Sequence, residues 1–230
     1  MILTDIAMYP PELADQMTFM TNRDGETMQV VLRMPPEMAQ RLDDECISVH
    51  LEIRIPSTIE RFVMNVKNVE VQLHPSVTHV DHMEIKTSNG ELAMKDWTGS
   101  ILRLATTQGK LKVGRLVAED SVMLENSNSM IVATDRVEAK REVQIKNVNG
   151  HIRASSEIYA HDTIFIESSN QAIQLGNIVA DHVSIRTSNG KLFIDSIQAK
   201  TQILTQTSNA PISLSILGDK NNKVNVLTSF

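Results

Sequence analysis

The segment Val183–Ile194 reads Val-Ser-Ile-Arg-Thr-Ser-Asn-Gly-Lys-Leu-Phe-Ile and contains two alternating runs separated by a polar turn. Apolar residues occupy every second position on both sides of Asn189-Gly190, which is typical of strands with one buried face. Asn and Gly accept the positive φ values that tight turns demand. We therefore predict two strands joined by a tight turn.

The same pattern recurs along the chain at intervals of 19 to 21 residues. With Thr187 as the anchor, the equivalent small polar residues are Asn68, Thr87, Thr106, Asn126, Asn147, Ser168, Thr187, Thr207 and Thr228. A fixed period of this size is the sequence signature of a solenoid, in which each turn of the chain, or rung, stacks on its neighbours.

Four apolar columns accompany the anchors. The positions four and two residues before each anchor, and five and seven after it, are apolar in the regular repeats except at Thr205. Strand alternation inside a repeat of about 20 residues predicts parallel strands stacked rung upon rung, with Ile145, Ile166 and Ile185 as neighbours in one buried column. The predicted fold is all-β, a single-stranded β-helix.

A small residue lies between the second strand of each rung and the first strand of the next. We predict that these residues sit in tight connections, where a larger side chain would clash. They are Gly99, Ala118, Ala139, Ala160, Ala180 and Ala199.

Residues 1–45 stand outside the repeat, which we assign to residues 46–230. Met17–Met20 and Met28–Met34 predict a hairpin, and residues 35–42 a helical turn. Such a segment suits a cap over the first rung, the alternative being a mobile arm. In the repeat domain we predict a strand that stops before Pro56 and an exposed loop over 217–223.

Two polar columns flank the turns. The anchors should point inward, where their hydroxyls and amides must be hydrogen-bonded, and the backbone of their own turn is the expected partner. Two residues further on, amides predict a ladder of side-chain hydrogen bonds from rung to rung, with a ligand-binding row as the alternative. The members of this second column are Asn89, Gln108, Asn128, Asn149, Asn170, Asn189 and Asn209.

An outward column immediately before the anchors alternates in charge. It reads Glu125, Lys146, Glu167 and Arg186 over consecutive rungs. We predict that neighbouring members pair across the strands, which favours the correct register of stacking.

Composition limits the functions available to the chain. A net charge of −6 argues against a nucleic-acid partner, whose phosphates favour a basic face. The single cysteine, Cys46, excludes an intrachain disulfide but leaves the compartment open between the cell surface and the cytoplasm. No signal peptide is predicted, because the N-terminus lacks a basic stretch followed by a long apolar run, and no membrane span is predicted, because no apolar run approaches about 20 residues.

Chemistry-bearing motifs are scarce. His161, Asp162, Asp181 and His182 lie in corresponding connections one rung apart and could together hold a metal, although solvated corner residues are the simpler interpretation. No Gly-x-Ser-x-Gly elbow is present, and the carboxylates do not cluster in one column. We therefore predict no catalytic, cofactor-binding or metal-ligating residue, and no cofactor.

The Thr-Ser-Asn-Gly turns at 87–90 and 187–190, Thr-Ser-Asn-Ala-Pro-Ile at 207–212 and the segment His50–Pro56 resemble the adhesin-like domain family of unknown function found in bacteria and fungi. The resemblance covers roughly residues 46–230. It implies a right-handed β-helix, often carried on cell-surface proteins, and no catalytic residues. The chain departs from the family pattern at Gln108, Asn128-Ser129 and Gln171.

The sequence predicts a non-catalytic structural or binding module whose ligand is an unknown surface, a polysaccharide or a protein. The alternatives are a carbohydrate-active β-helix enzyme, which needs clustered acids in a groove, and an intracellular self-assembling scaffold. The last strand, Val224–Thr228, carries no charge. Open strand edges invite pairing with another chain, so we predict either end-to-end self-association through this strand or a native chain that continues beyond it.

Overall fold

The chain folds into a β-solenoid in our computed structural model, which describes residues 3–9, 18–24, 27–33, 48–54, 59–67, 69–73, 80–218 and 223–228. These ranges contain strands and turns but no helix, and hence no apolar helix long enough to cross a membrane. Four N-terminal strands form two antiparallel pairs, and the remaining strands form one parallel sheet that winds through about 8 turns. The predicted β-solenoid is confirmed.

The strands outside the solenoid are β1 (Leu3–Tyr9), β2 (Thr18–Asp24), β3 (Thr27–Arg33) and β4 (Ser48–Arg54). The solenoid strands are β5 (Arg61–Val66), β6 (Val71–Leu73), β7 (His82–Thr87), β8 (Leu92–Thr106), β9 (Leu111–Asn126), β10 (Ile131–Ala133), β11 (Val137–Ala139), β12 (Glu142–Asn147), β13 (Ile152–Ala154), β14 (Ile158–Ala160), β15 (Thr163–Ser168), β16 (Ile173–Thr187), β17 (Leu192–Thr207), β18 (Ile212–Ile216) and β19 (Lys223–Thr228).

The apolar columns form the core. Ile145 pairs with Ile166, and Ile166 with Ile185, in parallel register, and all three side chains are fully buried. The residues between them face outward, as strand alternation requires. The core columns are thus the ones that the sequence predicts.

Each rung has three strand segments rather than two, as β12, β13 and β14 show. The prediction that the small residues sit in connections is wrong. Ala139 and Ala160 are the last residues of the third-segment strands β11 and β14, pair with each other, and are buried. This column has little room, since a Cβ added at Gly99 would lie 2.5 Å from the ring of Trp97.

The anchor side chains from Thr87 to Thr207 are buried and hydrogen-bonded, as predicted, but their main acceptor is the turn of the preceding rung. Asn147 Nδ2 donates to the Ser129 carbonyl at 2.7 Å, and Thr207 Oγ1 donates to the Gly190 carbonyl at 3.2 Å. Bonds within one turn are also present, since the Gly150 N–H donates to Asn147 Oδ1 at 2.9 Å. The anchors therefore join successive rungs at one corner.

The turn glycines are not selected by positive φ, because Gly190 does not adopt the left-handed region. That part of the sequence prediction is wrong. The actual constraint is the close approach of the preceding rung, whose carbonyl oxygen occupies the space of the missing side chain.

In the N-terminal region β2 and β3 form the predicted antiparallel hairpin, with Asp24 opposite Thr27. The strand predicted before Pro56 is present as β4, and its antiparallel partner is β1. The predicted helical turn at 35–42, Cys46 and most of the loop predicted at 217–223 lie outside the described residues. The capping role and the division at residues 45 and 46 stay predictions.

Candidate functional site

An open groove of about 580 Å³ runs across the rungs along the corner that follows the first strand segment. One side is formed by the residues just before the anchors, and the other by the residues just after them. The groove is continued by a hollow of about 130 Å³ that shares Glu167 and extends over Arg186 and Gln206. Together they trace a polar path parallel to the solenoid axis.

One side of the groove is a row of hydroxyls, one per rung between Ser88 and Ser208 except at Val148. We call Ser88, Thr107, Ser127, Ser169, Ser188 and Ser208 the hydroxyl row. In the described part of the chain the hydroxyls of Ser127, Ser169 and Ser188 form no hydrogen bond. The neighbouring anchors Asn126, Ser168 and Thr187 instead donate hydrogen bonds to the preceding rung, so the fold uses the anchors and not these three hydroxyls.

The other side of the groove carries charge. Among the described residues Glu125, Glu167 and Arg186 form no ion pair, and Lys146 Nζ lies 5.6 Å from the centroid of the Phe165 ring. The predicted cross-strand ion pairs in this column are therefore not formed. Stacked side chains project outward in parallel, so each long side chain can turn to a neighbouring column instead of to its own. Charges of both signs remain available along the groove.

Beside the hydroxyl row, the predicted amide ladder is present from Asn128 to Asn209. Asn170 Nδ2 donates to Asn149 Oδ1 at 2.7 Å, and Asn189 Nδ2 donates to Asn170 Oδ1 at 2.9 Å. The ladder extends to Asn128 at one end and Asn209 at the other, with the same donor direction at every step. Its amides are used within the fold, which supports the structural interpretation over a ligand-binding row.

The four residues considered as a metal site do not converge. His161 Nδ1 lies 2.6 Å from Asp162 Oδ1, whereas Asp181 forms an ion pair with Lys200 at 2.7 Å. Thr201 Oγ1 lies 2.8 Å from His182 Nδ1. Across the described ranges no three His, Cys, Asp or Glu side chains come together in a metal-binding geometry.

Charge pairs at this corner link successive rungs instead. Arg141 reaches back one rung and donates to both carboxylate oxygens of Asp120, at 2.6 and 2.8 Å. These hydrogen bonds, and then the positive charge of Arg141, hold the pKa of Asp120 below its usual value. Lys200 lowers the pKa of Asp181 in the same way. The corner is thus an interrung contact rather than a reactive centre.

Sequence reasoning missed the hydroxyl row, because it considered serines only as nucleophiles. The signal was available, since Ser or Thr follows the anchor at Thr87, Thr106, Asn126, Ser168, Thr187 and Thr207. Whether those hydroxyls are engaged by the fold depends on three-dimensional contacts that the repeat pattern does not report.

The sequence matches no family model, and searches of curated proteins and of solved structures likewise give no match. The resemblance to adhesin-like domains therefore stays a prediction.

Proposed function

We propose that this protein is a non-catalytic binding module and that its ligand, a linear polysaccharide, lies along the groove. One observation carries the proposal: the hydroxyls of Ser127, Ser169 and Ser188 are not engaged by the fold and line a continuous groove. The surface repeats at the spacing of stacked strands, about 4.8 Å. A polymer with a repeating hydroxylated unit can make the same contact at several rungs.

The chemistry of the groove favours a polysaccharide over a nucleic acid or an apolar ligand. Hydroxyls both donate and accept hydrogen bonds, which suits a ligand whose own groups are mostly hydroxyls. Glu125, Glu167 and Lys146 add acceptors and a donor along the opposite side. A net charge of −6 disfavours binding of a polyphosphate backbone. An extended protein segment is the alternative ligand.

A carbohydrate-active enzyme is the second candidate, because two carboxylates line the groove. Glu125 and Glu167 are two rungs apart, so their backbones are separated by roughly 10 Å. Inverting glycosidases place their carboxylates about 6.5–9.5 Å apart. Lys146 lies between the two glutamates, however, and the groove is open to water. A general acid usually needs a dry environment, so we favour binding without turnover.

The proposal is tested by binding to immobilised polysaccharides: a neutral β-glucan, a polyuronate and deacetylated chitin. We expect saturable binding to at least one of them. The combined variant Ser127→Ala, Ser169→Ala and Ser188→Ala should weaken it by about five- to tenfold per hydroxyl that contacts the ligand. Thr98→Ala with Ser213→Ala, at exposed positions on the other two faces, is the matched control.

Each outcome decides between the candidates. Equal binding by the groove variant and the control would remove the groove as the site. Saturable binding to an unstructured peptide library, with no binding to any polysaccharide, would show that the ligand is an extended protein segment instead. Release of reducing ends that disappears in both Glu125→Gln and Glu167→Gln would establish the enzyme candidate instead.

A further inference from the structure

The last described rung, with strands β18 and β19, exposes apolar side chains at positions that are buried in the regular rungs before it. Val224 and Val226 are 41% and 46% exposed, whereas Ile203, one rung earlier in the column of Val224, is fully buried. Val226 lies one rung after Thr205, which is also fully buried. The two valines therefore present an inward-facing apolar surface that no further described rung covers.

The backbone at this end is also open on one side. Strands β18 and β19 each pair only with β17 among the described strands, so their outer N–H and C=O groups have no strand partner. At the opposite end, β3 lies in contact with β5, the first solenoid strand. Strands β5 and β6 at that end also pair on one side only, with β7 and β8, so among the described residues the two ends differ by the contact of β3.

We infer that the C-terminal end of the solenoid docks onto the same end of a second copy, with β19 antiparallel to β19 of the partner across a two-fold axis. This inference is independent of the groove. A two-fold axis perpendicular to this face of the solenoid keeps the interior side of both strands on one side of the joined sheet. The valines of the two copies then form one continuous core.

The sequence of β19 is complementary to itself in one register. Directly opposite residues in an antiparallel pair point to the same side. Val224 therefore lies opposite the partner's Val226, both facing the core, and Asn225 lies opposite the partner's Asn225, outside. Lys223 lies opposite the partner's Leu227, so no two like charges face each other. This self-complementarity is why we choose a second copy as the occupant.

The arrangement is closed. Both copies use the same end, and a two-fold contact occupies that surface on each copy, so the assembly stops at a dimer. Head-to-tail stacking would instead produce filaments of indefinite length. Mass therefore distinguishes the two forms of assembly.

The test measures mass against concentration by sedimentation equilibrium with the whole chain. We expect a monomer–dimer equilibrium with no larger species. Val226→Lys should raise the dimer dissociation constant at least about tenfold, since it places charge in the joined core. Val63→Lys, at a residue 47% exposed near the opposite end, should leave it unchanged. A concentration-independent monomer or unlimited growth would each overturn the inference.

Two further variants keep the test valid if Val226→Lys fails to fold. Leu227→Glu faces the partner's Lys223 and should tighten the dimer, whereas Leu227→Lys should weaken it. Asn225→Cys in a Cys46→Ser background should give a disulfide-linked dimer on mild oxidation, because opposite Cα atoms in a strand pair lie within bridging distance. Val63→Cys should not. A dimer without the Asn225→Cys crosslink would refute the proposed pairing.

Discussion

The carbonyl oxygen of Gln171 lies 2.0 Å from the position that a Cβ on Gly190 would occupy. The same oxygen accepts a hydrogen bond from the Thr187 hydroxyl at 3.4 Å. A side chain at Gly190 would therefore displace the backbone of the rung before it and disturb an anchor. Glycine is needed here because two rungs approach each other closely, and that requirement arises only when the rungs are stacked.

We expect Gly190→Ala to destabilise the protein by about 1–3 kcal/mol, the usual cost of overpacking. Ala210→Gly is the control, because Ala210 holds a Cβ at the same repeat position and should lose at most about 1 kcal/mol. Chemical denaturation followed by the fluorescence of Trp97, the single tryptophan and a buried one, measures both. Equal losses would show that close approach is not the constraint.

Thr205 is the one polar residue in the apolar columns, and the structure gives its hydroxyl no partner. The side chain is fully buried between Ile185 and Val226, and Oγ1 forms no hydrogen bond. Thr205→Val should therefore stabilise the protein by about 1 kcal/mol, because an unsatisfied buried hydroxyl is removed without a change of shape.

Thr187→Val is the opposite case, since the Thr187 hydroxyl donates to Gln171 and accepts from the Gly190 N–H. The Thr187→Val substitution should lower the free energy of unfolding by about 1–2 kcal/mol. Both variants are compared with the unmodified protein by thermal unfolding. If Thr205→Val also lowers the unfolding midpoint, the Thr205 hydroxyl has a partner in solution.

The core was predictable because two periods act on the same residues. Alternation fixes which side chains point inward, and the 20-residue repeat fixes which of them stack, as with Ile145 and Ile166. The third strand segment was not predictable in this way. It contributes short runs such as Val137–Ala139, whose brief alternation and small last residue, Ala139, are equally typical of a connection.

The groove was less accessible to sequence analysis than the core. Burial follows from pattern, but whether a hydroxyl is engaged depends on the distance to atoms in the preceding rung. Thr187 and Ser188 are adjacent and chemically alike, yet only the first uses its hydroxyl to join rungs. The prediction of ion pairs in the charged column failed for the same reason, because Lys146 lies over Phe165 and does not pair with Glu125 or Glu167.

The inward and outward columns can be separated by substituting neighbours in β15. Ile166→Asp should prevent folding, because it places an unpaired carboxylate at a fully buried position in the middle of the stack. Glu167→Gln should change the stability by less than about 1 kcal/mol, since Glu167 forms no ion pair within the described ranges. Far-UV circular dichroism shows whether each variant folds, and thermal unfolding gives its midpoint. Similar midpoints for the two variants would contradict the assignment of the inward and outward columns.

The amide ladder should contribute measurable stability despite its exposure. Asn170→Ala removes one hydrogen bond to Asn149 and one from Asn189, and we expect a loss of about 1–2 kcal/mol. Gln174→Ala, an exposed residue on the next face, serves as the control. Should the two variants unfold at the same denaturant concentration, water replaces the ladder without cost.

The pair of Asp120 and Arg141 makes stability depend on pH in a defined direction. Hydrogen bonds from Arg141, and then its charge, lower the pKa of Asp120 in the folded protein. A carboxylate with a lowered folded pKa stabilises the protein above its unfolded pKa, about 3.9, and loses that contribution as pH falls through the folded value.

Arg141→Gln should therefore lower the unfolding midpoint at neutral pH but not in strong acid, where both proteins carry a protonated Asp120. Arg153→Gln should leave the unfolding midpoint unchanged at both pH values, because Arg153 is exposed and forms no ion pair among the described residues. Carbon-detected NMR of the Asp120 carboxyl gives a second readout, in which the titration midpoint rises toward the ordinary aspartate value in Arg141→Gln only. An unchanged midpoint in that variant would mean that Arg141 does not hold the carboxylate in solution.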